Sequence, residues 1–441
     1  MALADTAVPA ANAPAKGRYY VLVLLWLAFT LSILDRYAMG ILAEPIKRDL
    51  GLSDTMLGVL SGVAFGLFYS TLAVPVARLA DRGNRRNLIA GSVFVWSLCT
   101  MACGMAANAV QLGLARLCVG IGEAGSTPPA QSMIGDLFEE RERGRAVGLF
   151  ASGANLGLFL AFVVAGLISA AWGWRAAFVA LGLPGVVLAA VMVTTLREPA
   201  RSRPDVAADM PRFADVPRFI VANRALFHIV IGITLSNMAT GALVLWLPAY
   251  LIRAFTVSSA DMGPALGVLF GALGLVGAVG VGWLSDRVCK GDLRRRALLA
   301  TALPVLMWPC VVGAFLAPSY PVALAFMVVP GLLCTTPTAM TWALMLSIVP
   351  ERMRATVVAF GVLTANIGAL VIGPPLVGWL SDLLSDAEPA AGLRRAMLLF
   401  SLTLIASAVC FLLTYRHLRR GAVWDGSERL RGAHAPGPGG S

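Results

Sequence analysis

Four ionisable residues stand inside apolar runs, and their types and spacing suit the movement of a charged cargo or a proton. Asp35 and Arg36 are neighbours in the run from Tyr19 to Ala43. Arg116 and Glu123 are seven positions apart in the run that begins near Val110. A charge at the centre of a membrane helix costs about 2.5–3.5 kcal/mol on insertion scales, so such residues mark ion or substrate pathways.

Depth follows from helix geometry. At about 1.5 Å per residue, Asp35 lies about 12 Å below the outer end of its run, and Arg116 about 9 Å below the same surface on a helix of opposite direction. The depths agree, which predicts an Asp35–Arg116 ion pair. Glu123 falls about 20 Å down, near the bilayer centre, without a neighbour. A carboxylate beside an arginine is held ionised, whereas one alone in an apolar site favours its protonated form. Glu123 is therefore the expected proton carrier. Asp35 is expected to balance Arg116 and Arg36 and to exchange partners, and the two arginines to meet an anionic head group. The competing reading is a static network that only sets helix register; Arg36 is also long enough to snorkel outward.

The elements that position these residues are read from composition. The 441-residue chain is 58% hydrophobic and 13% charged, against about 25% charged in soluble domains. A bilayer can absorb this much apolar surface and a globular core cannot. The net charge of +11 does not signal nucleic acid, because the arginines sit in short loops between apolar runs. The seven cysteines are scattered and the three histidines isolated, so no metal site and no cofactor is expected.

Twelve apolar runs are long enough to cross a membrane. They predict an all-α membrane protein of twelve transmembrane helices in two six-helix bundles, residues 19–195 and 225–415, joined by a polar linker over 196–224. Residues 1–18 lack the apolar core of a signal peptide. They read as a disordered leader, and 416–441 as a cytoplasmic tail. With both termini inside, twenty Lys and Arg fall in cytoplasmic loops and six in outer ones, the bias that sets orientation.

The halves repeat weakly. Ala77-Arg78-Leu79-Ala80-Asp81-Arg82 matches Gly282-Trp283-Leu284-Ser285-Asp286-Arg287, and Arg143, Asn155 and Gly157 match Arg354, Asn366 and Gly368. Parallel six-span repeats belong to one large transporter architecture, with its substrate near the midplane. The loop Asp81-Arg82-Gly83-Asn84-Arg85-Arg86 resembles the cytoplasmic signature of the major facilitator superfamily, with Ala77 and Asn84 in place of two usual glycines. Arg116-Leu-Cys-Val-Gly120-Ile-Gly122-Glu123-Ala124 resembles its fourth-span motif. A narrower resemblance, to the spinster family, rests on Leu34-Asp35-Arg36-Tyr37, Gly120 to Gly125, Trp246-Leu-Pro-Ala-Tyr250 and Val349 to Ala355. It implies a proton-linked or facilitative exporter of lysolipids or sphingolipid phosphates and does not name the cargo. Gly153-Ala-Asn-Leu-Gly157-Leu158 lacks the proline that antiporters of the superfamily often carry, so antiport does not follow from it.

In this architecture Asp81 is expected at the start of span eleven, where a helix dipole favours an anion. Arg82, Arg85 and Arg86 are expected to pair with Glu139, Glu140 or Glu142 and close an inner gate. The second half offers hydroxyls, amides and rings to the cavity instead of charges: Thr234, Asn237, Thr240, Trp246, Thr338 and Trp342. One charged wall and one greasy wall suit an amphipathic substrate. The alternative for these hydroxyls is that they satisfy backbone groups within their own helices.

The sequence thus points to a monomeric multi-pass protein of the cell membrane, with a small amphipathic substrate and protons as partners and no nucleic acid. Alternatives are a drug or organic-acid carrier with the same machinery, or a non-transporting sensor. The latter is disfavoured by the short linker and tail. No nucleotide-binding loop of the Gly-x4-Gly-Lys-Ser/Thr type is present, and no catalytic constellation lies in the spans.

Overall fold

The computed structural model describes residues 15–199, 215–350, 353–385, 388 and 390–420. The expected leader over 1–14, the linker over 200–214 and the tail beyond 420 lie outside these residues. Among the described residues the chain is helical throughout, with no strand.

The first half comprises α1 (Ala15–Leu50), α2 (Asp54–Ser61), α3 (Val63–Arg82), α4 (Arg85–Cys103), α5 (Ala109–Glu123), α6 (Thr127–Leu137) and α7 (Glu140–Thr195). The second comprises α8 (Val216–Ala222), α9 (Arg224–Phe255), α10 (Ser259–Leu266), α11 (Leu273–Cys289), α12 (Leu293–Phe315), α13 (Tyr320–Leu333), α14 (Thr336–Ile348), α15 (Arg354–Asn366), α16 (Gly373–Leu383), α17 (Ala391–Phe400) and α18 (Leu402–Arg419). The first helix already starts at Ala15, inside the stretch expected to be disordered, and α18 runs past Arg416.

Nine described helices are long and apolar enough to cross a membrane. One of them, the 56-residue α7, contains Gly173 at φ 84°, a conformation that favours glycine. Arg18 binds Glu142, near the start of α7, and the Tyr20 hydroxyl meets Thr195 at its end. Both ends of α7 therefore reach the beginning of α1, so the helix doubles back at Gly173. Two more apolar rods are broken near mid-length, one between α5 and α6 at Ala124–Ser126 and one between α13 and α14 at Cys334–Thr335.

Helix starts follow from local chemistry. Ser53, Asn84, Asn108, Asn223, Ser258 and Asp292 each accept a backbone N–H two or three residues on. This satisfies donors that a helix N-terminus leaves free.

Close approach between the halves relies on glycine. Gly58 and Gly62 of α2 and its junction with α3 lie against the backbone of Pro374 and Leu370, with no room for a Cβ. Gly378 lies likewise against Asp54, and Gly166 and Gly263 bring α7 and α10 together. Small residues at such crossings let membrane helices pack without a hydrophobic drive. Two single π-turns, Gly267–Ala272 and Ile367–Ile372, sit at these same crossings, against Phe159 and Gly66 respectively. Such bulges often lie at functional sites.

Candidate functional site

The four charges meet, in a pairing other than the expected one. Arg36 Nη2 donates to Glu123 Oε2 at 2.7 Å, and Ser32 Oγ donates to the same oxygen at 2.7 Å. Glu123 is thus not alone. The reason is side-chain direction: a helical side chain leans toward the N-terminus of its helix. On α1 this lean carries Arg36 back one turn to the level of Ser32, where it meets Glu123. On α5 the same lean carries Arg116 toward Ala109, away from Glu123.

The expected Asp35–Arg116 ion pair is likewise absent. Asp35 accepts from Thr100 Oγ1 at 3.1 Å, and its Oδ1 has no hydrogen-bond partner. All three guanidinium nitrogens of Arg116 lack a partner as well. An uncompensated buried charge is costly, and what faces Arg116 instead is the Phe65 ring, 5.0 Å from its guanidinium carbon.

Phe65 and Tyr69 stack at 5.4 Å along one face of α3. Arg36 lies over both rings, 5.0 Å from Phe65 and 4.3 Å from Tyr69. The arginine is therefore held by a carboxylate on one side and an aromatic plate on the other, a cation–π arrangement that strengthens when desolvated. Phe65, Tyr69, Ser32 and Thr100 do not stand out in the sequence, because an aromatic pair four residues apart in an apolar run looks like packing. Exposure separates the four charges: the Arg36 side chain is 11% accessible and Glu123 0%. Asp35 and Arg116 are also buried.

The expected cavity residues of the second half divide. Thr234, Asn237 and Thr240 bond the carbonyls of Val230, Ile233 and Ser236, one turn back in α9. Thr240 faces a small apolar cleft within the second half, bounded by Leu243, Met307, Met397 and Phe400. Trp246 does not line a cavity. It is fully buried and donates to the Pro374 carbonyl at 3.1 Å, pinning α9 to α16. An indole buried among helices needs such an acceptor. Trp342 is half-buried against Gly361, and the Thr338 side chain lies outside the described residues.

The cytoplasmic arginines also depart from expectation. Arg85 is buried and bonds Asp136, Ser132, Glu198 and the Pro199 carbonyl at 2.5–3.0 Å. Arg86 donates its backbone N–H to Glu198 and a guanidinium N–H to the Leu196 carbonyl. The expected acidic partners are engaged elsewhere: Glu142 by Arg18 and Glu139 by Arg141. Arg85 and Arg86 thus clamp α4 to the ends of α6 and α7 inside the first half. They do not bridge the halves. The Asp81 and Arg82 side chains lie outside the described residues.

A cluster that the sequence hid joins the two halves at one end of the molecule. Arg253 of α9 donates both terminal nitrogens to Asp54 at 2.7 Å, and Nε to Glu44 at 2.7 Å. Lys47 also meets Asp54, and Ser381 Oγ donates to it at 2.6 Å. Asp382 of α16 accepts the backbone N–H groups of Asp54 and Thr55 at 3.0 and 2.8 Å, so a residue of the second half caps α2 in the first. Arg253, Asp54 and Glu44 are at most 7% accessible. Bidentate arginine–carboxylate pairs are strong and geometrically specific. The hydrogen bonds described between the halves concentrate here, at the C-terminal ends of α1, α9 and α16 and the start of α2.

A helical membrane protein whose halves lock at one face around a buried charge cluster has the form of an alternating-access carrier. The sequence matches the Major Facilitator Superfamily over residues 25–370, and the chain belongs to that superfamily. It is a multi-pass protein of the cell membrane. It is 32% identical over 404 residues to an MFS-type efflux pump of Mycolicibacterium smegmatis, covering 91% of this chain and 93% of that one. It is 30% identical over 287 residues to a probable L-galactonate transporter of Escherichia coli, 62% of each chain. Its spinster-like character has a structural counterpart. The crystal structure of a bacterial homolog to the human lysosomal transporter Spinster, in an inward-facing and unoccupied conformation, superposes with a TM-score of 0.82 at 26% identity, covering 94% of this chain and 100% of that chain.

Proposed function

We propose that this protein is a secondary transporter of an organic anion with an apolar body, and that it couples anion binding to protonation of Glu123. The carrying observation is Arg36. It is the one member of the four-charge cluster whose side chain the protein does not enclose completely, and its countercharge is a fully buried carboxylate. An anionic head group arriving at Arg36 competes with Glu123 for the guanidinium. A carboxylate that loses its cation in an apolar site takes up a proton. One anion and one proton then occupy the site together. The Phe65–Tyr69 plate lies beside the same guanidinium and suits the apolar part of the cargo.

This reading takes the chain as twelve spans with both termini at the cytoplasmic face. The second limb of α7 and the two broken rods supply three spans beyond the nine already counted. The protein functions as a monomer open toward the cytoplasm, a state supported by the locked outer cluster. The relatives point the same way, one toward a sugar acid and one toward efflux. Efflux of amphipathic compounds is the second reading. It differs in direction and leaves the role of Arg36 unchanged.

Purified protein in proteoliposomes, offered galactonate, an aromatic carboxylate and lysophosphatidic acid with and without a proton gradient, tests the proposal. At least one anion should move faster with the gradient in the wild type, and Glu123→Gln should remove the gradient's effect. Transport of neutral sugars alone contradicts it.

A further inference from the structure

A second cluster of charges lies at the other face, away from the Arg36 site. The start of α9 and the end of α18 are held side by side by hydroxyl groups: Ser407 Oγ donates to the Gly232 carbonyl at 2.8 Å and Thr414 Oγ1 to the Ala225 carbonyl at 3.5 Å. Beyond these contacts His228 and His417 stack, with ring centroids 5.2 Å apart and 26° between planes. His228 Nδ1 lies 2.6 Å from the Arg224 carbonyl. Arg224 stands one turn before His228 at the start of α9, Arg420 follows His417 by three residues at the end of α18, Arg416 and Arg419 lie on that same last turn, and all four are exposed.

None of these four arginines has a described ion pair, whereas several other arginines of that face do. Arg18, Arg85, Arg141, Arg295 and Arg296 each meet a carboxylate. Four exposed guanidiniums at this end, with no acid paired to them among the described residues, repel a metal cation. They call for an anion. The site stands where membrane-spanning helices end, and Phe227 and Val221 beside it are 37% and 64% accessible. Phe227 packs edge-on against His228, centroids 5.5 Å apart. Charge at headgroup height with apolar surface alongside fits a molecule carrying both. Basic pockets between helices on the cytoplasmic side bind anionic headgroups.

We infer that this cluster binds the phosphate of an anionic phospholipid of the inner leaflet, with acyl chains against Phe227 and Val221. It is separate from the transport site, and its occupant is a membrane lipid rather than cargo.

The full-length protein, incubated in detergent with equal amounts of short-chain phosphatidylglycerol and phosphatidylcholine, is read by native mass spectrometry. Wild type should retain phosphatidylglycerol preferentially. Each basic residue near an anionic surface is worth about fivefold in affinity, so Arg224→Gln with Arg420→Gln should lower retention about 30-fold. The pair Arg416→Gln with Arg419→Gln gives an independent measure if the first does not fold. Arg224→Lys with Arg420→Lys should restore most of the affinity, and Arg294→Gln with Arg295→Gln, at the start of α12, should change nothing. Equal retention of the two lipids, or undiminished retention in both Gln variants, overturns the inference. Displacement of the lipid by an equal concentration of glycerol phosphate would assign the cluster to a soluble phosphate and overturn it as well.

Discussion

Arg36 on α1 and Glu123 at the end of α5 share a 2.7 Å hydrogen bond that joins two helices of the first half inside the membrane. The bond leaves Asp35 and Arg116, their sequence neighbours and expected partners, with unbonded polar atoms. On the function proposed above, Arg36 is the group that trades its carboxylate for another anion.

Replacement of Arg36 should therefore weaken cargo binding directly. A hydrogen bond to a charged group contributes about 1.5–3 kcal/mol, so Arg36→Gln should raise the dissociation constant for an anionic cargo about 10- to 150-fold. Tyr69→Leu should cost less, about five- to thirtyfold, because a cation–π contact in a largely enclosed site is worth about 1–2 kcal/mol. Titration calorimetry on both variants checks this order.

The outer cluster predicts a conformational effect without loss of binding chemistry. Arg253→Gln leaves Asp54 and Glu44 buried without their arginine, and breaking such a pair costs about 3–5 kcal/mol. The cost falls on the outer-closed state alone. Spin labels at Val110 and Leu316, both exposed at outer helix ends, should report a new longer-distance population. Asp382→Asn should shift it less, since loss of a helix cap costs about 0.5–2 kcal/mol.

Glycine packing at the same crossing gives a matched pair. A Cβ at Gly62 overlaps the Leu370 carbonyl, whereas at Gly91 it meets nothing within 4 Å. Gly62→Ala should open the outer face in the same spin-label measurement, and Gly91→Ala should leave the distances as in wild type.

Two positions should behave as scaffold. Trp246→Phe removes one buried hydrogen bond to Pro374, which predicts a loss of about 1 kcal/mol of stability and an unchanged cargo preference. Arg85→Ala removes one ion-pair partner each from Asp136 and Glu198 within the first half. It should lower the melting temperature while leaving the distance between halves as it was. Melting by tryptophan fluorescence, alongside the uptake screen, separates these roles from those of Arg36.

The helical class, the superfamily and the four buried charges were legible in the sequence, because long apolar runs need a bilayer and a charge inside one stands out by its cost. Partner choice was not. Depth arithmetic placed Asp35 level with Arg116, yet side chains lean along their helices, and this lean brought Arg36 to Glu123 instead. Trp246 looked like a cavity wall because a sequence does not show which face of a helix meets its neighbours. Arg253 counted only as an outer positive charge. Its acids, Glu44 and Asp54, sit at the ends of other helices, and only the folded chain brings them together. Asp382 capping α2 from the opposite half is a tertiary contact with no local signature.

The proton exchange at Glu123 is tested most directly by adding the best-transported anion to weakly buffered, detergent-solubilised protein and recording the pH. The wild type should take up close to one proton per anion bound, and Glu123→Gln none while still binding. An absence of proton uptake by wild type on binding, or equal uptake by the Gln variant, would contradict the exchange of carboxylates at Arg36.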